Sequence, residues 1–217
     1  FNPDFHPELA EQEYYLGMGE TAEILAKEGK ITREQQEEFS VNSHKKALKA
    51  WDSNQFENED LSIDMYGESL VKKDEGPRDP DLDKIKSLDP AFLENGTITA
   101  ATASPISIGA AAILITSRTF AEKNGLKIRA SIKGRSVTGV DWKRMGMGPL
   151  PATEKVLAKT GFTLDQIDVI ELNEAFAAQS LYVIQKGNWD ISRVNHNGGA
   201  IALGHPLGCS GTRIITT

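Results

Sequence analysis

Apolar and polar positions alternate with two different periods along this chain, and the change of period divides it. Between Thr21 and Lys30, the residues Thr21, Ala22, Ile24, Leu25 and Ala26 supply small and apolar contacts, and Gly29 lies near the end of the run. That pattern predicts a helix. Thr32 follows as an N-cap, and Gln35 three residues later completes a capping box. The second predicted helix runs to about Trp51, with Phe39, Ala47, Leu48 and Trp51 toward the core. Residues 64–90 are rich in Asp, Lys, Gly and Pro and read as an extended surface connection with little regular structure. The Lys72-Lys73-Asp74-Glu75 run reads as a solvated face. Beyond Ser104 the pattern changes. Ile106 to Ser117 reads as a buried strand, and Thr119 to Asn124 as a short helix ended by Gly125. Ile128 to Val140 reads as a strand rich in β-branched residues. Pro151 to Thr160 reads as a helix ended by Gly161, with Pro151 tolerated at its start. Asp168 to Leu172 reads as a short strand, and Glu174 to Gln185 as the helix after it. Strands alternating with helices imply an α/β layered domain over residues 105–217, behind a helix-rich segment over residues 1–104.

Composition narrows the classes of function. The 217 residues include 39% hydrophobic and 25% charged residues, within the range of a soluble globular protein. The net charge of -7 argues against a general affinity for nucleic acid or anionic membrane. No apolar run approaches the roughly 18 residues a membrane span needs. No basic and apolar leader opens the chain. The single cysteine, Cys209, cannot form an internal disulfide, which points to a reducing cytoplasm. It also leaves any chemistry that needs two thiols incomplete. The chain begins without Met and stops at Ile214-Ile215-Thr216-Thr217 without a helix-ending Gly or Pro, so both ends read as cuts through a longer protein. Neither a GxxxxGK[ST] nor a GxGxxG string is present, and no His/Cys cluster has the spacing of a metal site.

Three segments could carry chemistry. Leu172-Asn173-Glu174-Ala175-Phe176-Ala177-Ala178-Gln179 sits where a strand gives way to a helix, a common active-site position in α/β folds. On spacing alone, Asn173 reads first as the N-cap of that helix. Val194 to Gly211 holds five glycines in the 14 positions from Gly198, a density that serves tight turns and close approach to a ligand. Within it, His205 is fixed between Gly204 and Pro206. It can be a structural loop histidine, or a general base at the mouth of the helix starting near Ser210. Cys209 reads as a buried small apolar residue rather than a nucleophile. In the third segment, Asn95 to Pro105, small residues leave room for a ligand's chain, and a plain loop-to-strand entry explains them equally well.

Taken together and in this order, these strings resemble the thiolases (acetyl-CoA acetyltransferases and 3-ketoacyl-CoA thiolases) over nearly the whole chain. Met18-Gly19-Glu20-Thr21-Ala22-Glu23 resembles the family's MGxTAE, and Ile31 to Gln36 the helix start that follows it. Gly96-Thr97-Ile98-Thr99-Ala100 resembles GTVTA, and Met145 to Pro149 resembles MGxGP. The Asn173-to-Gln179 and Gly198-to-Gly211 strings are the most specific. The resemblance implies a thiolase-like layered αβαβα core, present as an incomplete C-terminal half over 105–217, plus a helical, loop-rich insertion domain over 1–104 that binds coenzyme A. It implies a reversible Claisen condensation or thiolytic cleavage through a cysteine acyl-enzyme. His205 matches the general base. Asn173 matches the asparagine that fixes a water, with which the histidine forms an oxyanion hole. Ser104 matches a serine on the pantetheine arm of CoA, and Met18, Ala91, Phe92, Ala100 and Phe176 match residues lining its tunnel and the acyl pocket. Acyl-CoA substrates, the family's N-terminal half and a homodimer or homotetramer are the implied partners, with no metal.

The same resemblance places both reactive cysteines outside these residues, one before Phe1 and one after Thr217. A chain limited to the 217 residues is therefore expected to be inactive. A large apolar face is expected where the other half would pack. Ser107-Ile108-Gly109-Ala110 departs from the family's Asn-Asp-Gly-Ala, and Ile108 replaces an Asp. Ala101-Thr102 with Pro105 resembles the long-chain fatty-oxidation branch, whereas Asn173 resembles the short-chain and general branch. Chain-length preference stays open. The alternative function is a non-catalytic, thiolase-like acyl-CoA-binding or interaction protein.

Overall fold

A computed structural model of the chain describes residues 5–65, 67 and 69–217. The helices begin where local capping chemistry dictates. A short α1 (Pro7–Glu11) precedes α2 (Met18–Gly29) and α3 (Arg33–Asp52). At the start of α3, the Thr32 hydroxyl accepts from the Gln35 N–H at 3.3 Å. In return, the Thr32 N–H donates to the Gln35 side chain at 2.9 Å, closing the capping box expected from sequence. Two short strands follow, β1 (Ile63–Met65) and β2 (Ser69–Val71), paired antiparallel with Ile63 opposite Val71. This hairpin and α4 (Leu82–Lys86) replace part of the irregular stretch expected over 64–90. Arg33 anchors the connection: its guanidinium donates to the carbonyls of Lys86 and Leu88 at 3.2 and 2.7 Å.

Beyond residue 104 come α5 (Arg118–Lys123), α6 (Pro149–Thr160), α7 (Ala177–Gly187), α8 (Ala200–Leu203) and α9 (Ser210–Thr216). Short 3-10 turns lie at Trp142–Met147, Leu164–Gln166 and Ile191–Arg193. The main core joins both segments, because Leu25 and Ile31 pack with Leu150, Leu172, Tyr182, Val183, Ile184 and Val194. A second cluster of Ala22, Ala26, Ile98 and Ala178 lies between α2 and α7. Three of its four side chains end at Cβ, so the two helices approach closely. Truncating Leu25, which is fully buried, would cost about 2–5 kcal/mol.

The expected strands at 106–117 and 128–140 do not form as hydrogen-bonded strands, and the first of them is not buried. Ile106 and Ile108 are wholly exposed, and Leu114, Ile115, Ile132 and Val137 are exposed as well. A strand exists only through the backbone groups of its neighbour. Among the described residues neither is paired in a strand ladder: α6 meets the second where the Ser136 hydroxyl donates to the Ala152 carbonyl at 2.6 Å and Lys155 donates to the Val137 carbonyl at 3.0 Å, and the apolar side chains named above face outward. The expected strand at 168–172 is reduced to one parallel bridge between Ile170 and Val194.

His44, on α3, is buried, and its Nδ1 has no hydrogen-bond partner among the described residues. Burial, reinforced by the nearby positive charge of Arg78, pushes its pKa down to about 4. In the unfolded chain the imidazole takes a proton near its ordinary value of about 6.5. The His44 contribution to folded-state stability is therefore constant above that pH and falls as the pH drops from about 6.5 to about 4. Glu171, whose pKa is pushed up to about 7, acts in the opposite direction over pH 7 to pH 4.5, so the His44 share is read as a difference in urea midpoint between the native protein and a variant. We expect His44→Leu to lose less over the same interval.

Candidate active site

The site is framed by a buried polar network that joins three stretches of chain. Asn195 sits at a left-handed backbone position (φ 48°), which Asn tolerates better than most residues. From there its amide copies a neighbouring peptide group. Oδ1 accepts from the Leu172 N–H at 2.8 Å, while Nδ2 donates to the Leu172 carbonyl and to Glu174 Oε1, each at 2.8 Å. The other oxygen of Glu174 accepts from the Ser43 hydroxyl at 2.7 Å and from the Ile201 N–H at 3.2 Å. Ser43 also accepts from the Gly199 N–H at 3.0 Å. α3, the Asn173 loop and the start of α8 are thereby tied together. Position 199 must be glycine, since an added Cβ would overlap the Glu174 carboxyl. Burial raises the pKa of Glu174, opposed by the hydrogen bonds from Ser43, Asn195 and Ile201.

On this frame Asn173 and His205 meet. Asn173 Nδ2 lies 3.4 Å from His205 Nε2, although the residues are 32 positions apart. Asn173 does not cap the following helix. The residue before α7 is Phe176, and no side chain bonds there, so the N-cap expectation fails. Asn173 stands on the loop before it instead, its Oδ1 buried without a partner among the described residues. On the far side of the ring, His205 Nδ1 lies 2.6 Å from the Ser210 hydroxyl, at the first residue of α9. Burial, with the positive charge of Arg213, pushes the His205 pKa below its ordinary value. The ring is thus neutral near pH 7 and free to accept a proton.

Asn173 also lines a largely apolar cleft of about 410 Å³, together with Met18, Met145, Pro149, Ala175, Phe176 and Gln179. Of the other residues singled out from sequence, Phe92 meets Phe176 edge-on with ring centroids 5.6 Å apart. Its ring lies over Gly19, where an added Cβ would overlap it. The Ser104 N–H donates to the Ala175 carbonyl at 2.9 Å, which lays 98–104 along the Asn173 loop. Ala91 and Ala100 are exposed at the same end, outside the cleft lining. Ala91 is held by its N–H to the Ile98 carbonyl at 2.8 Å. That strip is fixed to α2 by Glu23, which accepts from the Thr97 and Ile98 N–H groups at 2.7 and 2.8 Å. Cys209 is buried. Sequence reasoning passed over Met145 and Pro149, although both stand in the Met145-to-Pro149 string. It also passed over the roles of Asn195 and Ser210, both inside the Val194-to-Gly211 string, and over Ser43, for which no local signal exists.

The models of "Thiolase, N-terminal domain" and "Thiolase, C-terminal domain" match residues 4–119 and 126–217. Over 225 residues the chain is 48% identical to the 3-ketoacyl-CoA thiolase of Shewanella loihica, a match covering 99% of this chain and 58% of that protein. The chain therefore spans less than two-thirds of that relative's length. Among solved structures, human mitochondrial 3-ketoacyl-CoA thiolase in complex with CoA is 40% identical with a TM-score of 0.91, over 94% of this chain and 52% of that one. The Bacillus anthracis acetyl-CoA acetyltransferase is 43% identical with a TM-score of 0.88, over 93% and 52%. The backbone thus follows that mixed α/β fold along almost all of its length.

Replacing Glu174 by Gln keeps the shape but puts an amide N–H where the carboxylate only accepts. One buried donor among Ser43, Asn195 and Ile201 then faces another donor. We expect a loss of about 1–3 kcal/mol in chemical denaturation. We expect Ser43→Ala to cost a similar amount, because it takes one donor from the carboxylate and leaves the buried Gly199 N–H without its acceptor.

Proposed function

The chain belongs to the thiolase family, and on that premise we propose that it supplies the base and part of the acyl-CoA site of an acyltransferase. The reaction is the joining of two acetyl-CoA molecules or the cleavage of a 3-ketoacyl-CoA by CoA. The meeting of Asn173 and His205 beside an apolar cleft carries this reading. The names of the relatives, 3-ketoacyl-CoA thiolase and acetyl-CoA acetyltransferase, support the reaction class.

In the cleavage direction, a cysteine outside these 217 residues gives its thiol proton to His205 Nε2. The thiolate attacks the 3-keto carbon. The C2–C3 bond then breaks, leaving the acyl group on sulfur and acetyl-CoA as its enolate. The new Nε2–H and a water on the Asn173 amide stabilise the enolate oxygen. A second cysteine, also outside, protonates the α-carbon. CoA then takes the acyl group: its thiol proton passes to the thiolate of the second cysteine, and the His205 imidazolium returns its proton to the departing first cysteine, restoring both thiols and the neutral ring. A neutral imidazole suits the first step, and the depressed pKa of His205 keeps it neutral.

Met18, Phe92 and Phe176 would line the acyl and pantetheine path, Ala91 and Ala100 would leave it open, and Ser104 would contact the pantetheine arm. Residues 1–104 then act as the CoA-binding loop domain and 105–217 as a partial α/β domain. The exposed apolar segments at 106–117 and 128–140 would pack on parts of the fold that lie outside these residues, within a cytoplasmic homodimer or homotetramer.

We expect a polypeptide of these 217 residues to show no thiolysis of acetoacetyl-CoA, measured by loss of its enolate absorbance, and the full-length protein to show it. Thiolysis by the 217-residue chain would overturn the placement of the nucleophile. In the full-length protein, His205→Ala should lower kcat about 10²- to 10⁴-fold, and Asn173→Ala about 10²-fold or more. Gly19→Ala should push the Phe92 ring aside and raise KM for acyl-CoA more than it lowers kcat.

A further inference from the structure

Ser210 is buried, and its hydroxyl lies 2.6 Å from His205 Nδ1 and 3.2 Å from the Pro206 carbonyl. The backbone fixes that hydroxyl tightly. Ser210 opens α9, its own N–H donates to the Pro206 carbonyl at 2.9 Å, and the Cys209 N–H donates to the same oxygen at 2.9 Å. The side-chain contacts run in one direction. An amide nitrogen only donates, so the Asn173 contact makes Nε2 the acceptor; Nδ1 then carries the hydrogen toward the Ser210 oxygen, and the Ser210 hydroxyl donates to the Pro206 carbonyl. This order leaves the lone pair of the neutral ring on Nε2, on the cleft side, where a base must hold it.

We propose that Ser210 is the positioning residue of the catalytic base: its hydroxyl accepts from Nδ1–H and so fixes both the tautomer and the plane of the His205 ring. This rests on the acyltransferase reading only for its catalytic consequence, since the geometry stands without it. A base is commonly oriented by a third group on its far nitrogen. Here that group carries no charge. A carboxylate on Nδ1 would hold the imidazolium and raise the basicity of the ring. A hydroxyl orients it without that effect. The charge that acts on the ring is Arg213, on α9 itself, which Glu171 faces at 3.7 Å from the segment before Asn173. Neither bonds the ring, so neither can replace Ser210 in setting its direction. During proton transfer Nε2 gains a hydrogen while Nδ1 keeps its own, and the Ser210 contact persists unchanged through the step.

Two measurements on the full-length protein test this. The first is the imidazole ¹⁵N chemical shifts of His205 above its pKa, which read the tautomer without any substrate. The native protein should show the Nδ1–H form. Ser210→Ala should show a mixture, and Ser210→Thr should restore the native pattern. Shifts unchanged in Ser210→Ala overturn the proposal, whatever the activity. The second is steady-state thiolysis of acetoacetyl-CoA across pH. Ser210→Ala should lower kcat about 10- to 100-fold, the scale for losing an orienting partner, with KM little changed and Ser210→Thr recovering most of the rate. A rate loss that Thr does not recover, or one confined to KM, also overturns it. An inactive native protein that still shows the tautomer shift sinks the acyltransferase reading and supports the positioning role.

Discussion

The carboxylate of Glu174 is taken out of water where three stretches of chain converge, and the meeting of Asn173 with His205 depends on its being satisfied there. A buried carboxylate without partners would cost several kcal/mol. This one accepts from a hydroxyl, a side-chain amide and a backbone N–H, with Lys46 contributing a favourable charge. Its pKa is still raised, so burial outweighs the hydrogen bonds. Because the partners come from α3, from Asn195 and from the start of α8, satisfying the carboxylate also sets their spacing. Asn173 precedes Glu174 by one residue, and His205 follows α8 by two. The pair that meets at 3.4 Å is held by a group that faces away from the cleft.

The electrostatics around that pair favour a ring that is neutral before reaction. Burial and Arg213 both act against the imidazolium. Glu171, which could have opposed them, is half-buried and turned toward Arg213. Burial first, with repulsion from Glu174 and Glu59, pushes its own pKa up to about 7 despite that arginine. The base is therefore tuned by desolvation more than by a partner charge. That suits the deprotonation of a thiol, which is itself only moderately acidic.

What could be read from sequence followed from how local each cause was. Thr32 with Gln35, and Gly161 after α6, specify their helix ends through contacts within a few residues, and both ends fall where expected. The residues from 106 to 117 carry an equally clear apolar pattern. A strand, however, is defined by a neighbour that no local pattern names. The Asn173 expectation failed for a related reason. An Asn before a helix usually caps it, yet here the chain stays extended to Phe176 and aligns with Ala103 before α7 begins. His205 and Asn173 were legible as a pair only through resemblance to a family. Nothing in the spacing of 173, 195 and 205 says that the middle residue holds the first in place. Ser43 was invisible in the same way, since it lies 131 positions from the carboxylate it bonds.

That same distance bears on the order in which the molecule is made. Leu25 and Ile31 find their core partners at Tyr182, Val183 and Val194, on the far side of some 150 residues of intervening chain. On a ribosome, α2 and α3 emerge long before α7 exists, and their apolar faces wait uncovered through most of that synthesis. Local capping can start those helices early. Closing a loop of this length is an entropic barrier that must be crossed before the core contacts stabilise anything. Nascent chains thus carry those faces uncovered until residues 172–194 have left the exit tunnel.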